Sequence, residues 1–379
     1  MMQPTSIVDQ TWWVGLNDRK TDLFEGLWPL PRGVSYNSYL ILGEKVVLLD
    51  TVKVTMAGAF LAGLERLLNG RKIDYLVTHH LEPDHSGSIG LLRRCWPDMK
   101  IIGNKKTAEF LREMHGIEVD MPISDSDALE LPDRTLRFYL TPMVHWPETM
   151  MTFDESNGTL FSCDAFGGFG TVDQSLFDDQ GVPAWYEDDV LRYFSNIVAK
   201  YAPMTHKAIG KLAGLDIKII APSHGIIWRQ DPLRIVKIYD RWSQDQWETG
   251  VLIAYGSMYE HTETMAEAVA AGVRDEGVTL RLYDVSRRHL SYIIRDAWRY
   301  GGLILGAPTY DTKLYPMMLH VINSLPKGLV ARRSLGLFGN YGWVGGAVKT
   351  MQAWAEDQGG KPVEPIVEAR FRPTDDDLK

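Results

Sequence analysis

Apolar positions along the chain follow two rhythms. From residue 7 to about residue 221, short β-like runs dominate, among them SYNSYLIL, KVVLLD, IDYLVTH, LRFYLTPMVH, TMMTFD and GTLFSCD. Helix-like amphipathic stretches such as MAGAFLAGLERLLNG separate some of them, which predicts a mixed α/β domain. Beyond Gly250 the pattern alternates regularly: strand VLIAY, helix from His261, strand TLRLYDV, helix near 291–300, strand GLILGA, helix from Tyr315, strand SLGLFG, helix from Val344, strand VEPIVEA. That alternation predicts a doubly wound parallel sheet. The helical stretch DPLRIVKIYDRWSQDQWETG is the predicted joint, with Gly250 as its C-cap. The expected domains are therefore residues 1–249 and 250–379. At the end of the chain, Thr374 followed by aspartates reads as a helix start with almost no helix after it, so a truncated last helix is expected.

A chain of 379 residues suits two domains, each with its own core. With 45% hydrophobic and 23% charged residues it reads as a soluble enzyme, and no stretch is apolar enough to span a bilayer. The net charge of −9 and the lack of a basic stripe argue against a nucleic-acid partner. The start, MMQPTSIVDQTWW, shows neither a basic leader nor an apolar signal core, so a cytoplasmic address is expected. Cys95 and Cys163 are the only cysteines, which excludes a disulfide scaffold and any CxxC iron or zinc site.

The stretch THHLEPDHSGS, residues 78–88, follows a predicted strand. Loops leaving the C-terminal ends of strands are where α/β architectures place functional groups. His80, Glu82, Asp84 and His85 alternate so that one short loop can aim four side chains at a point. Imidazole and carboxylate are ligands that first-row divalent metals accept. The competing reading is that Asp84, Ser86 and Ser88 only cap the next helix. Three later residues bear on the choice. His145 follows LRFYLTPMV, Asp164 follows GTLFSC and His224 follows IKIIAPS, each at the end of an apolar run. A single histidine there is usually a hydrogen-bonded core residue. The recurrence favours seven ligands, too many for one tetrahedral ion and suited to two metals sharing a carboxylate. His79 points opposite to His80 on a strand and is expected not to be a ligand.

The order His80-x-Glu82-x-Asp84-His85, then His145, Asp164 and His224, resembles the metallo-β-lactamase fold. Hydrolases of that group typically carry histidine where this chain has Glu82. That replacement, the wording HWPETM, SCDAFGGFG and APSHGIIW, and the flavodoxin-like second half resemble the A-type flavoproteins, or flavodiiron proteins. The resemblance implies an N-terminal αββα sandwich and a C-terminal flavodoxin-like sheet. It also implies two non-haem irons, one on His80, Glu82 and His145, the other on Asp84, His85 and His224, with Asp164 bridging. Asp50, ending KVVLLD, and Tyr193 are candidates to orient the ligands from behind.

In the second half, Ser257, Met258, Tyr259, Glu260, His261 and Thr262 lie between the first strand and first helix of the sheet, where hydroxyls and backbone N–H groups can hold a phosphate. The loop lacks the lysine of a Walker loop and the glycines of GxGxxG. It is similar to the phosphate loop of flavodoxins, although Glu260 and His261 replace small residues. Two more loops carry Pro308, Thr309, Tyr310 and Asp311, and Asn340, Tyr341, Gly342, Trp343 and Gly345. Their aromatics could flank an isoalloxazine, and three such loops at one sheet edge point to FMN.

The function expected from the resemblance is transfer of electrons from FMN to a di-iron centre that reduces dioxygen to water, nitric oxide to nitrous oxide, or both. The donor would be external: a rubredoxin, a reductase or a reduced soluble cofactor. A head-to-tail homodimer, or a dimer of such dimers, would place one subunit's flavin beside the other's iron. Two rival classes are a zinc hydrolase fused to a flavodoxin module, which Glu82 disfavours, and an electron carrier whose metal site is structural.

Overall fold

The most apolar runs, KVVLLD and GTLFSCD, become strands covered on both faces. In the computed structural model, which describes residues 3–379, seven strands form the first sheet, β1 (Thr5–Val8), β2 (Thr11–Trp13), β3 (Tyr39–Leu42), β4 (Val46–Leu49), β5 (Tyr75–Val77), β6 (Lys100–Asn104) and β7 (Met121–Ile123), hydrogen-bonded in that spatial order. β1 to β4 pair antiparallel, and β4 to β7 pair parallel. Parallel neighbours need crossovers, supplied by α1 (Ala57–Leu68), α2 (Ile89–Cys95) and α3 (Lys105–His115). Helix α1 buries Ala57, Phe60, Leu64 and Leu68 at helical spacing and stops at Asn69 in the left-handed region, whose N–H reaches the Glu65 carbonyl.

A second sheet contains β8 (Ala128–Glu130), β9 (Thr135–Leu140), β10 (Met150–Asp154), β11 (Thr159–Cys163) and β12 (Ile219–Pro222). The first four form a meander, and β12 runs parallel to β11 after a crossover that contains α4 (Tyr186–Tyr193) and α5 (Ala202–Lys211). Side chains join the two sheets. The Tyr39 and Phe161 rings lie 5.2 Å apart, and the Tyr39 hydroxyl donates to the Pro222 carbonyl at 2.7 Å. Asn37 accepts from Trp13 Nε1 at 2.8 Å and donates to the carbonyls of Pro222 and Gly225, each at 2.8 Å. One buried amide thus holds the loop after β12 against the first sheet.

Helix α6 (Pro232–Ser243) follows, and the chain divides into two compact units, Met1–Gln244 and Asp245–Lys379. The predicted helix up to Gly250 ends earlier. Gln244 closes α6, and strand β13 (Glu248–Tyr255) has already begun when the chain reaches Gly250. Gly250 is a strand residue whose missing side chain leaves room for the Tyr300 ring, not a helix cap.

The second unit continues α7 (His261–Asp275), β14 (Leu280–Asp284), α8 (Leu290–Arg299), β15 (Tyr300–Tyr310), α9 (Pro316–Ser324), β16 (Ser334–Tyr341), α10 (Ala347–Asp357) and β17 (Val367–Arg370). The sheet order is β14-β13-β15-β16-β17, all parallel. Two boundaries differ from expectation. Helix α10 starts at Ala347, not Val344, because Gly345 and Gly346 precede it, and β17 starts after Pro365, which has no N–H for a ladder. Thr374 does not start a helix: its N–H donates to Asp377 Oδ2 at 2.7 Å within a turn. No helix among the described residues is long and apolar enough to cross a membrane.

Asn37→Ala is expected to destabilise the first unit by about 2–3 kcal/mol, since it orphans buried hydrogen-bonding groups, while leaving the second unit's transition unmoved. Chemical denaturation followed at tryptophan checks this, and an unshifted midpoint would refute it.

Candidate metal centre and second-domain pocket

The seven predicted ligands come from four strand ends at one edge of the first unit. His80, Glu82, Asp84 and His85 follow β5, with Pro83–Ser86 forming one helical turn. That turn brings Asp84 and His85 round to a second group while His80 and Glu82 serve the first. His145 follows β9, Asp164 follows β11 and His224 follows β12. Cys163, just before Asp164, adopts φ +55°, a left-handed conformation that ends the strand and turns the aspartate inward.

Ligand atoms of His80, Glu82, His145 and Asp164 lie within 4.8 Å of one another, as do those of Asp84, His85 and His224. Glu82 Oε2 is 3.3 Å from His80 Nε2 and 3.2 Å from His145 Nε2. Asp84 Oδ2 is 3.4 Å from His224 Nε2, and Asp84 Oδ1 is 3.5 Å from His85 Nε2. Asp164 divides its oxygens between the groups. Oδ2 faces His80 at 3.6 Å and His145 at 3.3 Å, while Oδ1 faces His85 at 3.2 Å and His224 at 3.4 Å. Two donors bound about 2.1 Å from one ion sit about 3.0–3.4 Å apart, so these spacings suit a shared metal as well as hydrogen bonds.

The donor set fits metal on a second count. Both oxygens of Asp84 and of Asp164, and the Nε2 atoms of His85, His145 and His224, are buried with no hydrogen-bond partner. Buried polar atoms without partners are rare and costly. Burial alone would raise the Asp164 pKa, yet the surrounding His85, His145 and His224 hold it well below the usual range. Burial opposes the charged imidazole of His145, but Asp164 and Glu82 push its pKa up to about 10. His85 is likewise driven well above its ordinary value, against burial, by Asp84 and Asp164. Cations are demanded here, and without metal the imidazoles of His85 and His145 supply them as protons.

Other residues fix the ligands. Glu148, absent from the predicted set, accepts from His80 Nδ1 at 2.7 Å and from the Leu81 N–H at 3.0 Å. It follows His145 within HWPETM and is fully buried; an acidic residue just before the apolar strand β10 was the available signal. His224 Nδ1 is 2.8 Å from the Ser35 carbonyl oxygen, so it donates there with Nε2 left for the site. Asp50 takes a different role from the expected one: it pairs with His79, Nδ1 to Oδ2 at 2.8 Å, and His79 Nε2 meets Thr152 Oγ1 at 2.7 Å. His79 therefore faces away from the ligand groups. Tyr193 has a buried hydroxyl without a partner, and its ring lies 5.7 Å from His224. Burial, then Asp164, pushes its pKa well above the usual value, so the phenol stays protonated. It ends α4 where the chain widens into a π-helix, Phe194–Val198, a distortion frequent at functional sites. Phe24, at 5.5 Å from His224, and Trp146, at 5.0 Å from His80, wall the site with carbon.

In the second unit a cavity of about 480 Å³ opens at the C-terminal edge of the sheet, lined by Met258, Tyr259, His261, Pro308, Thr309, Tyr310, Asp311, Asn340, Tyr341, Gly342, Trp343 and Phe371. Ser257, Glu260, Thr262 and Gly345 do not line it. Ser257 Oγ is buried without a partner, as a phosphate-binding hydroxyl would be. Thr262 is buried at the start of α7, and Glu260 turns the loop at φ +67°. Gly345 instead clears Glu368. Asn340 braces the edge, its Nδ2 donating to the carbonyls of Ala369 at 3.1 Å and Phe371 at 2.5 Å. Phe371 escaped the sequence reading because it lies beyond the last strand. The aromatic rim, the orphaned serine and the position beside β13 and β15, where strand order reverses, fit a flavin mononucleotide.

Two family descriptions match the chain: ODP family beta lactamase over residues 34–225 and flavodoxin over residues 253–379. A nitric oxide reductase of Moorella thermoacetica is 33% identical over 359 residues, covering 93% of this chain and 89% of that protein. A rubredoxin-oxygen oxidoreductase of Megalodesulfovibrio gigas is 34% identical, covering 96% and 92%. Among solved structures, the flavodiiron protein from Giardia intestinalis superposes with a TM-score of 0.95 at 25% identity, over 100% of this chain and 94% of that one.

Because His85 and His145 have raised pKa values in the metal-free site, divalent metal must displace their protons, and affinity should climb with pH. Adding Fe²⁺ to anaerobic metal-free protein near neutral pH is expected to release more than about one proton per chain. Uptake with no proton release and no pH dependence would contradict this.

Proposed function

The chain belongs to the flavodiiron proteins, oxidoreductases with FMN and a non-haem di-iron centre, and we propose that it reduces dioxygen to water and nitric oxide to nitrous oxide. The observation that carries the reading is the divided carboxylate of Asp164, one oxygen toward His80 and His145 and the other toward His85 and His224. We assign His80, Glu82 and His145 to one iron, Asp84, His85 and His224 to the other, and Asp164 to both. Glu82 in place of an imidazole makes the first group harder and better suited to oxidised iron than to hydrolytic zinc.

When bound, FMN accepts reducing equivalents from an external donor and the di-iron centre uses them to bind and reduce the gas. The protein's own groups do the rest. Glu148 and the Ser35 carbonyl hold the imidazoles of His80 and His224 in the tautomer that leaves Nε2 free. Phe24 and Trp146 exclude water, which strengthens every charge interaction inside. Tyr193, neutral and unpartnered, can donate a hydrogen bond to a small molecule held between the two groups. Dioxygen reduction consumes a proton with every electron, so a protonated phenol at that place is chemically useful.

We further assign the working form to a head-to-tail homodimer. The hairpin over residues 23–29, which carries Phe24, exposes Leu23 and Leu27, and the flavin cavity has exposed Tyr310 and Trp343 at its rim. Apolar rims around both sites are what a second copy, reversed in direction, would cover.

Asp164→Ala is expected to keep FMN and lose most iron and nearly all turnover with either gas; iron content equal to the parent would show that the bridge is misassigned. Side-by-side anaerobic assays of the pre-reduced enzyme with each gas test the substrate assignment: reoxidation by one gas alone would restrict it to that gas, and reoxidation by neither would end it. Sedimentation should show a dimer that Leu27→Arg weakens by about tenfold or more; a monomeric parent would exclude the assembly.

A further inference from the structure

We propose that a cavity between the loop after β14 and helix α9 is the docking point for an acidic electron-carrier protein that delivers electrons to FMN, an inference resting on the function above. The cavity has a volume of about 330 Å³, and Arg287, Arg288 and His289 from the loop and His320 from α9 line it. No carboxylate lines it among the described residues. Arg288 stacks over Tyr292 at 3.9 Å and Tyr283 at 5.2 Å, which holds its guanidinium in place without an ion-pair partner among the described residues. Arg287 donates from Nε to Asp284 at 3.0 Å and still has 88% of its side chain exposed. Beneath these groups the floor is apolar, with Val285 and Ile293 buried. A cationic rim over an apolar floor matches the edge of a protein interface better than a site for a free mineral anion.

Position makes the patch useful. A Cβ at Gly256 would meet the Tyr315 ring at 2.5 Å and Val285 at 3.4 Å, so these two side chains form a wall shared with the turn that leads into Ser257 and the flavin cavity. Ser286 Oγ and the Tyr315 hydroxyl, 3.0 Å apart, tie that wall together. A carrier anchored here lies beside the FMN pocket. The chain as a whole carries −9, which disfavours an acidic protein on average, so a local cluster of positive charge both attracts the carrier and biases where it lands.

The test uses the FMN-loaded and iron-loaded enzyme with two reductants: a reduced acidic rubredoxin as the carrier probe, and a photoreduced deazaflavin that needs no docking. In stopped-flow measurements, R287E/R288E is expected to slow FMN reduction by rubredoxin about tenfold at low salt and to approach the parent rate near 0.5 M salt. Arg288→Lys should retain most of the rate, and reduction by deazaflavin should be unchanged in both variants. An unchanged rubredoxin rate, an equal loss with both reductants, or a parent rate insensitive to salt would each overturn the proposal. Inorganic phosphate that binds the parent, fails to bind R287E/R288E and leaves the rubredoxin rate untouched would make this a small-anion site instead. Failure of the functional reading looks different: FMN would be reduced normally and neither gas would reoxidise it.

Discussion

Three carboxylates placed among four imidazoles, away from water, set the terms for the first unit. Their charge cannot be left uncompensated inside a protein without a penalty of several kcal/mol per ion, and the partnerless oxygens of Asp84 and Asp164 show that hydrogen bonding does not supply the compensation. Two divalent cations do. The same demand suits residues that follow strand ends, because backbone anchored in a sheet fixes where seven converging side chains point. Asn37 and Glu148 belong to this scaffold as much as the ligands do, one fixing the loop of His224 and the other the ring of His80.

Much of this was legible in the residues themselves. Ligand types at the ends of apolar runs stand out because a strand end is both a change of pattern and a place where side chains leave the sheet. The alternation of the second half was equally plain, since strands and helices have different periods. The parts that could not be read depend on distant contacts. Gly250 reads as a cap until Tyr300 is seen against it. Glu148 offers only a weak local sign, an acidic residue just before an apolar strand, because its partner His80 lies far away in sequence. Asp50 shows the opposite error: its strand-end position resembles that of a supporting residue, but it serves His79.

The two units divide the work by chemistry. The second offers aromatic faces, glycine and a hydroxyl-bearing turn, suited to a flat cofactor that must exchange electrons with partners. The first offers charge, rigidity and a carbon wall, suited to a small uncharged substrate. Each unit also exposes large apolar side chains, Leu23 and Leu27 in the first and Tyr310 and Trp343 in the second.

Cys163 carries a further consequence. It stands next to Asp164 in a left-handed conformation, and burial, reinforced by the negative charge of Asp164 and Asp50, pushes its thiol well above the ordinary value. Thiolates, not thiols, are the species that peroxide oxidises. Cys163 is therefore held as the unreactive thiol, and the left-handed turn that leads into Asp164 carries no thiolate for peroxide to convert to a sulfenic acid.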